Sequence, residues 1–139
     1  MKILTVEKYS NFQEKVKKVT IEGLRICRNM KIGEVVRQGD IYIHRVEDNH
    51  PHGEKTKNYQ LAMGSNLGSR HIADESFDVY LGTTLPEYVD SKHFLGQLIK
   101  GKKNSSLITH PEHGNICVGK GTFQVTHQMD IRTMRRVRD

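Results

Sequence analysis

Apolar and polar residues alternate with a period of two over much of the chain beyond Gly23, and beyond Gly33 turn residues recur between these runs. Successive side chains of a strand point to opposite faces, so this alternation is typical of strands that place one face against a core. It predicts strands at Ile41–Val46 and at 24–32, 59–63, 71–73, 77–81, 94–99, 105–109, 116–118 and 122–129.

The first twenty residues follow a helical spacing instead. Ser10 is followed three residues later by Gln13, which is the spacing of a capping box. Phe12, Val16 and Val19 then fall on one helical face. The pattern predicts a short helix at about 11–19.

Several short strands after one helix indicate a mainly β fold, either a small antiparallel barrel or a sandwich. We expect the turn at 101–104 to join strands 94–99 and 105–109 as a hairpin, and the turn at 119–121 to connect the last two strands in the same way. The sequence contains neither an internal repeat nor a linker, so we predict a single domain over residues 1–139.

The composition is polar but not that of a disordered chain, with 139 residues of which 35% are hydrophobic and 27% charged. We expect the chain to fold, and a homo-oligomer is compatible with its modest apolar content. The sequence has no apolar run long enough to span a bilayer and no signal-peptide pattern, which predicts a cytoplasmic protein without membrane contact. Cys27 and Cys117 lie far apart, which favours buried or free thiols and leaves a lone disulfide open.

The formal net charge of +6 is spread over three short basic runs, at 15–18, 100–103 and 132–138. Basic residues must share a face before they form a nucleic-acid surface. The sequence favours solvated faces, a turn and a tail over nucleic-acid binding, which stays open as the less favoured interpretation.

Eight histidines are the most unusual feature of the chemistry, and two of them flank a proline-glycine reversal in His110-Pro111-Glu112-His113-Gly114. Proline ends ladder pairing and glycine permits a sharp turn, so both imidazoles can be aimed into one space. Neutral imidazole is a common zinc ligand, and such a site needs three or four donors from different elements.

His71 is the third donor that this hypothesis requires, since it follows a glycine-rich stretch elsewhere in the chain. The predicted site therefore holds a divalent metal such as zinc through His71, His110 and His113, with Glu112 as a ligand, a partner of an imidazole or a catalytic general base. The alternative is a polar corner whose imidazoles bond backbone groups left over by the turn. For His127 a buried core histidine is favoured over a ligand, and the loop with His50 and His52 is expected to be exposed.

The second half of the chain resembles a family of small uncharacterised bacterial proteins, over roughly Gly39 to the C-terminus. The resemblance is carried by Gly39-Asp40-Ile41, by His110-Pro111-Glu112-His113-Gly114 with Gly119 and Gly121, and by Arg135-Arg136-Val137-Arg138-Asp139. It implies that the histidine motif is a family feature and implies no activity.

The chain departs from that family at Leu67-Gly68-Ser69-Arg70-His71, where the family has two histidines one residue apart. Arg70 or Arg45 is then a candidate for the space of the second histidine. The order of the histidine segments is also similar to the cupin arrangement, in which a β-barrel holds a metal between two motifs. That similarity concerns the fold and implies no reaction.

Two functions follow from the sequence, and neither decides whether the protein is an enzyme. The leading hypothesis is a divalent-metal site in a His-lined pocket, with hydrolysis as its simplest chemistry. The alternative is a non-enzymatic binding or assembly module, whose basic tail and residues 100–103 contact nucleic acid or an acidic protein partner.

Overall fold

The longest strand in the part of the chain that the structure describes lies in the interior of the larger of two β-sheets. The structure is a computed structural model that describes residues 24–63, 70–89, 93–130 and 135–136. The seven-stranded sheet has the order β2 (Val35–Gln38), β3 (Ile41–Val46), β11 (Gly121–Asp130), β8 (His93–Gly101), β7 (Phe77–Gly82) and β4 (His52–Thr56), and β12 (Arg135–Arg136) also pairs with β11.

The second sheet has five strands, and one of its edges is parallel. Its order is β1 (Leu24–Cys27), β10 (Asn115–Val118), β9 (Ser106–Thr109), β6 (Arg70–Ala73) and β5 (Gln60–Met63). β1 pairs with β10 in parallel, whereas the other pairs are antiparallel. The predicted antiparallel fold therefore has one parallel exception among the described strands.

One hydrophobic cluster takes side chains from both sheets. Ile41 and Phe123 from the larger sheet join Ile108, Ile116 and other buried residues of the smaller sheet. Burial of apolar side chains is the main favourable term in such a two-layer arrangement. The described part of the chain is therefore mainly β and sandwich-like. Its strands do not close into the barrel that the cupin-like alternative requires.

The alternation predicted for the longest strand is present, but both of its faces are buried. Phe123 and Val125 face the core, and Gln124 and Thr126 on the opposite face have no exposed surface. The amide of Gln124 is held by the carbonyls of Gly96, Gln97 and Val125 at an irregularity in the pairing of β11 with β8. At Gln124 and Thr126 the outer face of this sheet is therefore polar without being exposed to solvent.

Both predicted hairpins were wrong. β8 pairs with β7 and β11, whereas β9 pairs with β6 and β10, so residues 102–105 carry the chain from one sheet to the other. Residues 119–120 likewise lead from β10 in the smaller sheet to β11 in the larger one. A turn signal shows where a strand ends but not which sheet receives the next strand, because partners are chosen by long-range packing.

Several element boundaries also differ from the predictions. The first described strand ends at Cys27 and not at 32, and His52 begins β4 within the expected loop. Ile41–Val46 agrees with its prediction at both ends. The predicted helix at 11–19 and the predicted loop at 64–69 lie outside the described residues. In the part that the structure describes, no helix has the length and apolarity needed to cross a membrane.

Candidate functional site

The three histidines predicted to form a site are brought together as a row of adjacent, mutually tilted rings. The ring centroids of His71 and His110 are 4.3 Å apart, and those of His110 and His113 are 4.5 Å apart. His71 is fully buried, His110 is 3% exposed and His113 is exposed. We call these three residues the histidine row, which leads from the surface into the interface between the two sheets.

His71 is held at both ring nitrogens by oxygen acceptors. Gln38 Nε2 donates to the carbonyls of Ile108 and Gly114 at 3.0 and 2.7 Å, which leaves Gln38 Oε1 to accept from His71 Nδ1 at 2.9 Å. Asp40 Oδ1 lies 2.9 Å from His71 Nε2. Both ring nitrogens of His71 therefore have oxygen partners, one of which is an oxygen of the buried Asp40 carboxyl group.

His110 closes the turn formed by residues 110–114. Its Nδ1 accepts from the backbone N–H groups of Glu112 and His113, each at 3.0 Å. Nδ1 therefore carries no proton, and the neutral ring has its hydrogen on Nε2. Gly114 follows with φ of +76°, a conformation that glycine adopts without strain. Glu112 is exposed, and its backbone amide is the group that bonds His110.

This arrangement limits what the histidine row can bind. Within the described ranges, no group of three or more His, Cys, Asp or Glu side chains is placed to hold a metal ion. A metal bound to His71 would have to displace Gln38 or Asp40, and a metal bound to His110 through Nδ1 would open the turn. Metal binding by the row stays a prediction, as does the role of Glu112 as a base.

A second group of histidines lies on the outer face of the larger sheet. His44 Nε2 and His93 Nδ1 contact the Thr126 hydroxyl at 2.8 and 3.2 Å. His44 is 3% exposed, and its Nδ1 has no hydrogen-bond partner. Burial, with a smaller contribution from His93, lowers the pKa of His44 to about 4, so this ring is neutral near pH 7.

The remaining histidines are held by the fold. His50, predicted to be exposed, is buried with Nε2 2.7 Å from the Thr84 carbonyl, because β7 and the residues after it cover this loop. His52 stacks on Tyr80 with ring centroids 4.2 Å apart. His127 is buried, as predicted.

The two cysteines are free thiols, and Cys117 is buried as predicted. Burial raises the pKa of both thiols above the ordinary value. Neither group is therefore an activated nucleophile.

An accessible cleft of about 430 Å³ lies at one end of the larger sheet. The adjacent strands β3, β11, β8 and β7 end or begin there, which gathers residues from four distant parts of the sequence. The lining, which we call the basic cleft, consists of Arg45, Asp48, Asp78, Lys100, Gly101, Lys102, Lys120, Gly121 and Thr122.

The charges of the basic cleft are partly compensated. Asp78 Oδ1 lies 3.0 Å from Lys102 Nζ and 3.2 Å from the Nζ of exposed Lys55, and both lysines lower the pKa of Asp78. Asp48 Oδ1 accepts from Thr122 Oγ1 at 3.1 Å and is 4.0 Å from Arg45 Nη1.

Two further lysines of the cleft have no carboxylate partner among the described residues. Lys100 Nζ lies 5.4 Å from the ring centre of Tyr80, a cation–π distance, and Lys120 is exposed. The lining of four cations and two carboxylates therefore has a net positive charge of two.

Arg45 is positioned by the strand opposite. Its guanidinium carbon lies 5.8 Å from the centre of the Phe123 ring, the residue with which it is paired in register. A Cβ at Gly121 would approach Arg45 Nε to 2.5 Å, and Gly121 has φ of +152°. A glycine at this position thus leaves the space in which the arginine side chain lies.

Sequence reasoning found Lys100 and Lys102 as part of a basic turn but missed most of the cleft. Arg45 and Lys120 are 75 positions apart, and their proximity depends on which strands are neighbours. The glycine-lysine pairs at 101–102 and 119–121 were the available signal, since each lies at a strand end.

The fold and sites define a two-sheet β protein with a buried histidine row and an open basic cleft. Residues 37–128 match the family described as Domain of unknown function (DUF8820), and the chain belongs to that family. The match includes the histidine row and every residue of the basic cleft. No curated protein and no solved structure matches the chain.

Proposed function

We propose that this protein is a non-enzymatic binding module that takes an anionic partner in its basic cleft. The observation that carries the proposal is the convergence of Arg45, Lys100, Lys102 and Lys120 in one open cleft with an excess of positive charge. Clefts of one sign concentrate ligands of the opposite sign. His71 and His110 of the histidine row are buried and hydrogen-bonded within the protein, which makes them less accessible to a ligand. This difference favours the basic cleft as the binding site.

The test is anion binding by the full chain, measured by calorimetry at low and at physiological salt. The probes are inorganic phosphate, a mixed-sequence oligonucleotide and a poly-glutamate peptide. We expect binding that weakens as salt is added, since ion contacts are screened. Lys100→Gln with Lys120→Gln should weaken it, whereas Lys103→Gln, an exposed lysine of the same turn outside the cleft, should not. Absence of binding to all three probes at low salt would refute the proposal.

A divalent metal at the histidine row is the second candidate function. It is supported by the 4.3 and 4.5 Å ring separations, which bring His71, His110 and His113 together as the motif predicted. The test is elemental analysis of protein purified without a histidine tag. Metal near one equivalent, lost in His110→Ala and in His113→Ala, would support the site, with Glu112→Gln then testing the base. Absence of stoichiometric metal would remove it.

A cytoplasmic location completes the proposal. It is supported by the two free thiols, because reducing compartments keep cysteines in that form. Formation of a homo-oligomer and a single domain over residues 1–139 stay predictions.

A further inference from the structure

The size of the basic cleft and the placement of its cations favour some anions over others. Its volume of about 430 Å³ lies within the range of small-molecule sites, about 300–1,000 Å³. The Lys100 ammonium lies over Tyr80 and the Arg45 guanidinium over Phe123, so two of its cations are held by aromatic rings at fixed positions. A finite cleft with oriented cations fits a single compact anion better than a continuous polymer.

The net charge of the lining indicates how much negative charge that anion carries. Lys102 forms an ion pair with Asp78, and Asp48 accepts a hydrogen bond from Thr122 beside Arg45, so both carboxylates offset part of the positive charge. The remaining excess of two positive charges matches a phosphate monoester, which has a charge of about −1.5 to −2 near pH 7. A phosphodiester or a sulfate ester has one negative charge per group and is matched less well.

The donors also suit a phosphoryl group. Arginine binds phosphate oxygens through two parallel N–H groups, and lysine adds a compact point charge. Arg45 lies on β3, Lys100 on β8 and Lys120 immediately before β11, so donors reach the cleft from different strands. A phosphoryl group with three terminal oxygens can accept from several of these directions at once.

We infer that the ligand of the basic cleft is a small molecule with a terminal phosphate monoester, bound as its dianion between Arg45, Lys100 and Lys120. This inference rests on the proposed function, since it names the ligand class of the same site. It excludes a polymeric nucleic acid as the preferred partner.

The test compares glucose 6-phosphate with glucose 6-sulfate, which have the same shape but different charge. We expect the full chain to bind the phosphate roughly tenfold more tightly at pH 7.5, the effect of one additional charge-assisted contact. The difference should shrink at pH 5.5, because the second ionisation of a phosphate monoester lies near pH 6. The cleft lining contains no histidine, and Lys102 and Lys55 keep the pKa of Asp78 low, so that carboxylate does not titrate in this range.

Asp48→Asn is the most informative variant. It removes one negative charge and retains an oxygen for Thr122, so phosphate affinity should rise roughly threefold to tenfold. Arg45→Gln should lower it by a similar or larger factor, and Lys103→Gln should leave it unchanged. A fall in affinity for Asp48→Asn would contradict an anion site with this charge balance.

The outcomes separate the inference from the proposed function. Equal affinity for the phosphate and sulfate esters, or binding of oligonucleotide that glucose 6-phosphate does not displace, would overturn the inference and leave the binding module intact. No binding of any anion would overturn both.

Discussion

His44 shows how a single residue is tuned by its surroundings. Its ring is buried beside His93 and Thr126 on the outer face of the larger sheet, and burial lowers its pKa to about 4. The sequence placed His44 on a strand, but the residues that bury it lie far away in the chain. Its depressed pKa therefore could not be predicted from local pattern.

The lowered pKa of His44 predicts a pH dependence of stability. Below about pH 6.5 the unfolded chain protonates this ring, whereas the folded chain does so only near pH 4. The free energy of unfolding is therefore independent of this ring above about pH 6.5. It falls by up to roughly 3 kcal/mol as the pH decreases towards 4. Urea unfolding between pH 4 and 7 measures it. His44→Gln should flatten the curve relative to His113→Gln, and identical slopes in the two variants would contradict the assignment.

Substitution of His71, which contacts no solvent, should have a large effect on the free energy of unfolding. His71→Ala removes a buried hydrogen-bond partner from both Gln38 Oε1 and Asp40 Oδ1, which should lower the free energy of unfolding by at least about 2 kcal/mol. The measurement is the free energy of unfolding in urea. His113→Ala, at the exposed end of the same row, should change it by less than about 0.5 kcal/mol. A loss as small for His71→Ala as for His113→Ala would contradict the importance of the hydrogen bonds of His71.

The position of the ring protons can be measured directly. Nitrogen-15 chemical shifts of His71 should show a proton on Nδ1, because that atom faces Gln38 Oε1, which can only accept. The spectrum of His110 should instead show an unprotonated Nδ1, since that atom accepts two backbone amides. The sequence predicted that these two rings lie close together. It did not predict that Gln38 and Asp40 would contact both ring nitrogens of His71.

At the scale of elements, strands were predictable and their partners were not. Alternation identified β3 and β11 because apolar side chains that face the core occur at alternate positions in both strands. The hairpins predicted on either side of β9 and β10 were wrong, since short connections at 102–105 and 119–120 lead to the other sheet. Which strands pair is determined by how the apolar faces of strands far apart in the chain pack against one another.

The contact between β7 and β8 predicts a severe effect of adding one methyl group. A Cβ at Gly82 would lie 1.9 Å from the carbonyl oxygen of Gly96, so the strands would have to separate. Gly82→Ala should therefore cost at least about 2 kcal/mol. In Gly53→Ala the nearest atom, Leu81 Cβ, is 3.2 Å away, and the cost should be smaller. Thermal unfolding of both variants tests this order, and equal losses would contradict the close approach.

At the scale of the whole molecule, the basic cleft is a product of topology. Residues from β3, β7, β8 and β11 meet there only because those strands are neighbours at one end of one sheet. The composition indicated an excess of positive charge, and the fold determines where that excess is concentrated. Function was therefore less predictable than fold class.

Ligand binding in the cleft predicts a stability linkage. A ligand that binds the folded chain alone raises the free energy of unfolding by about 2.7 kcal/mol at a hundredfold excess over Kd. Thermal scans with increasing glucose 6-phosphate should show a rising Tm. The Lys100→Gln, Lys120→Gln double variant should lose this rise while keeping its ligand-free Tm, and an equal rise in both proteins would place the ligand elsewhere.

The strand order at the cleft also has a kinetic consequence. Val46 pairs with Thr122, so this end of the sheet closes a loop of most of the chain, and such long-range closure is slow and costs entropy. We therefore expect the cleft to be among the last parts to form, so that an anion finds no complete site in the folding transition state. We expect a bound anion to lengthen the lifetime of the native state and to leave the folding rate nearly unchanged.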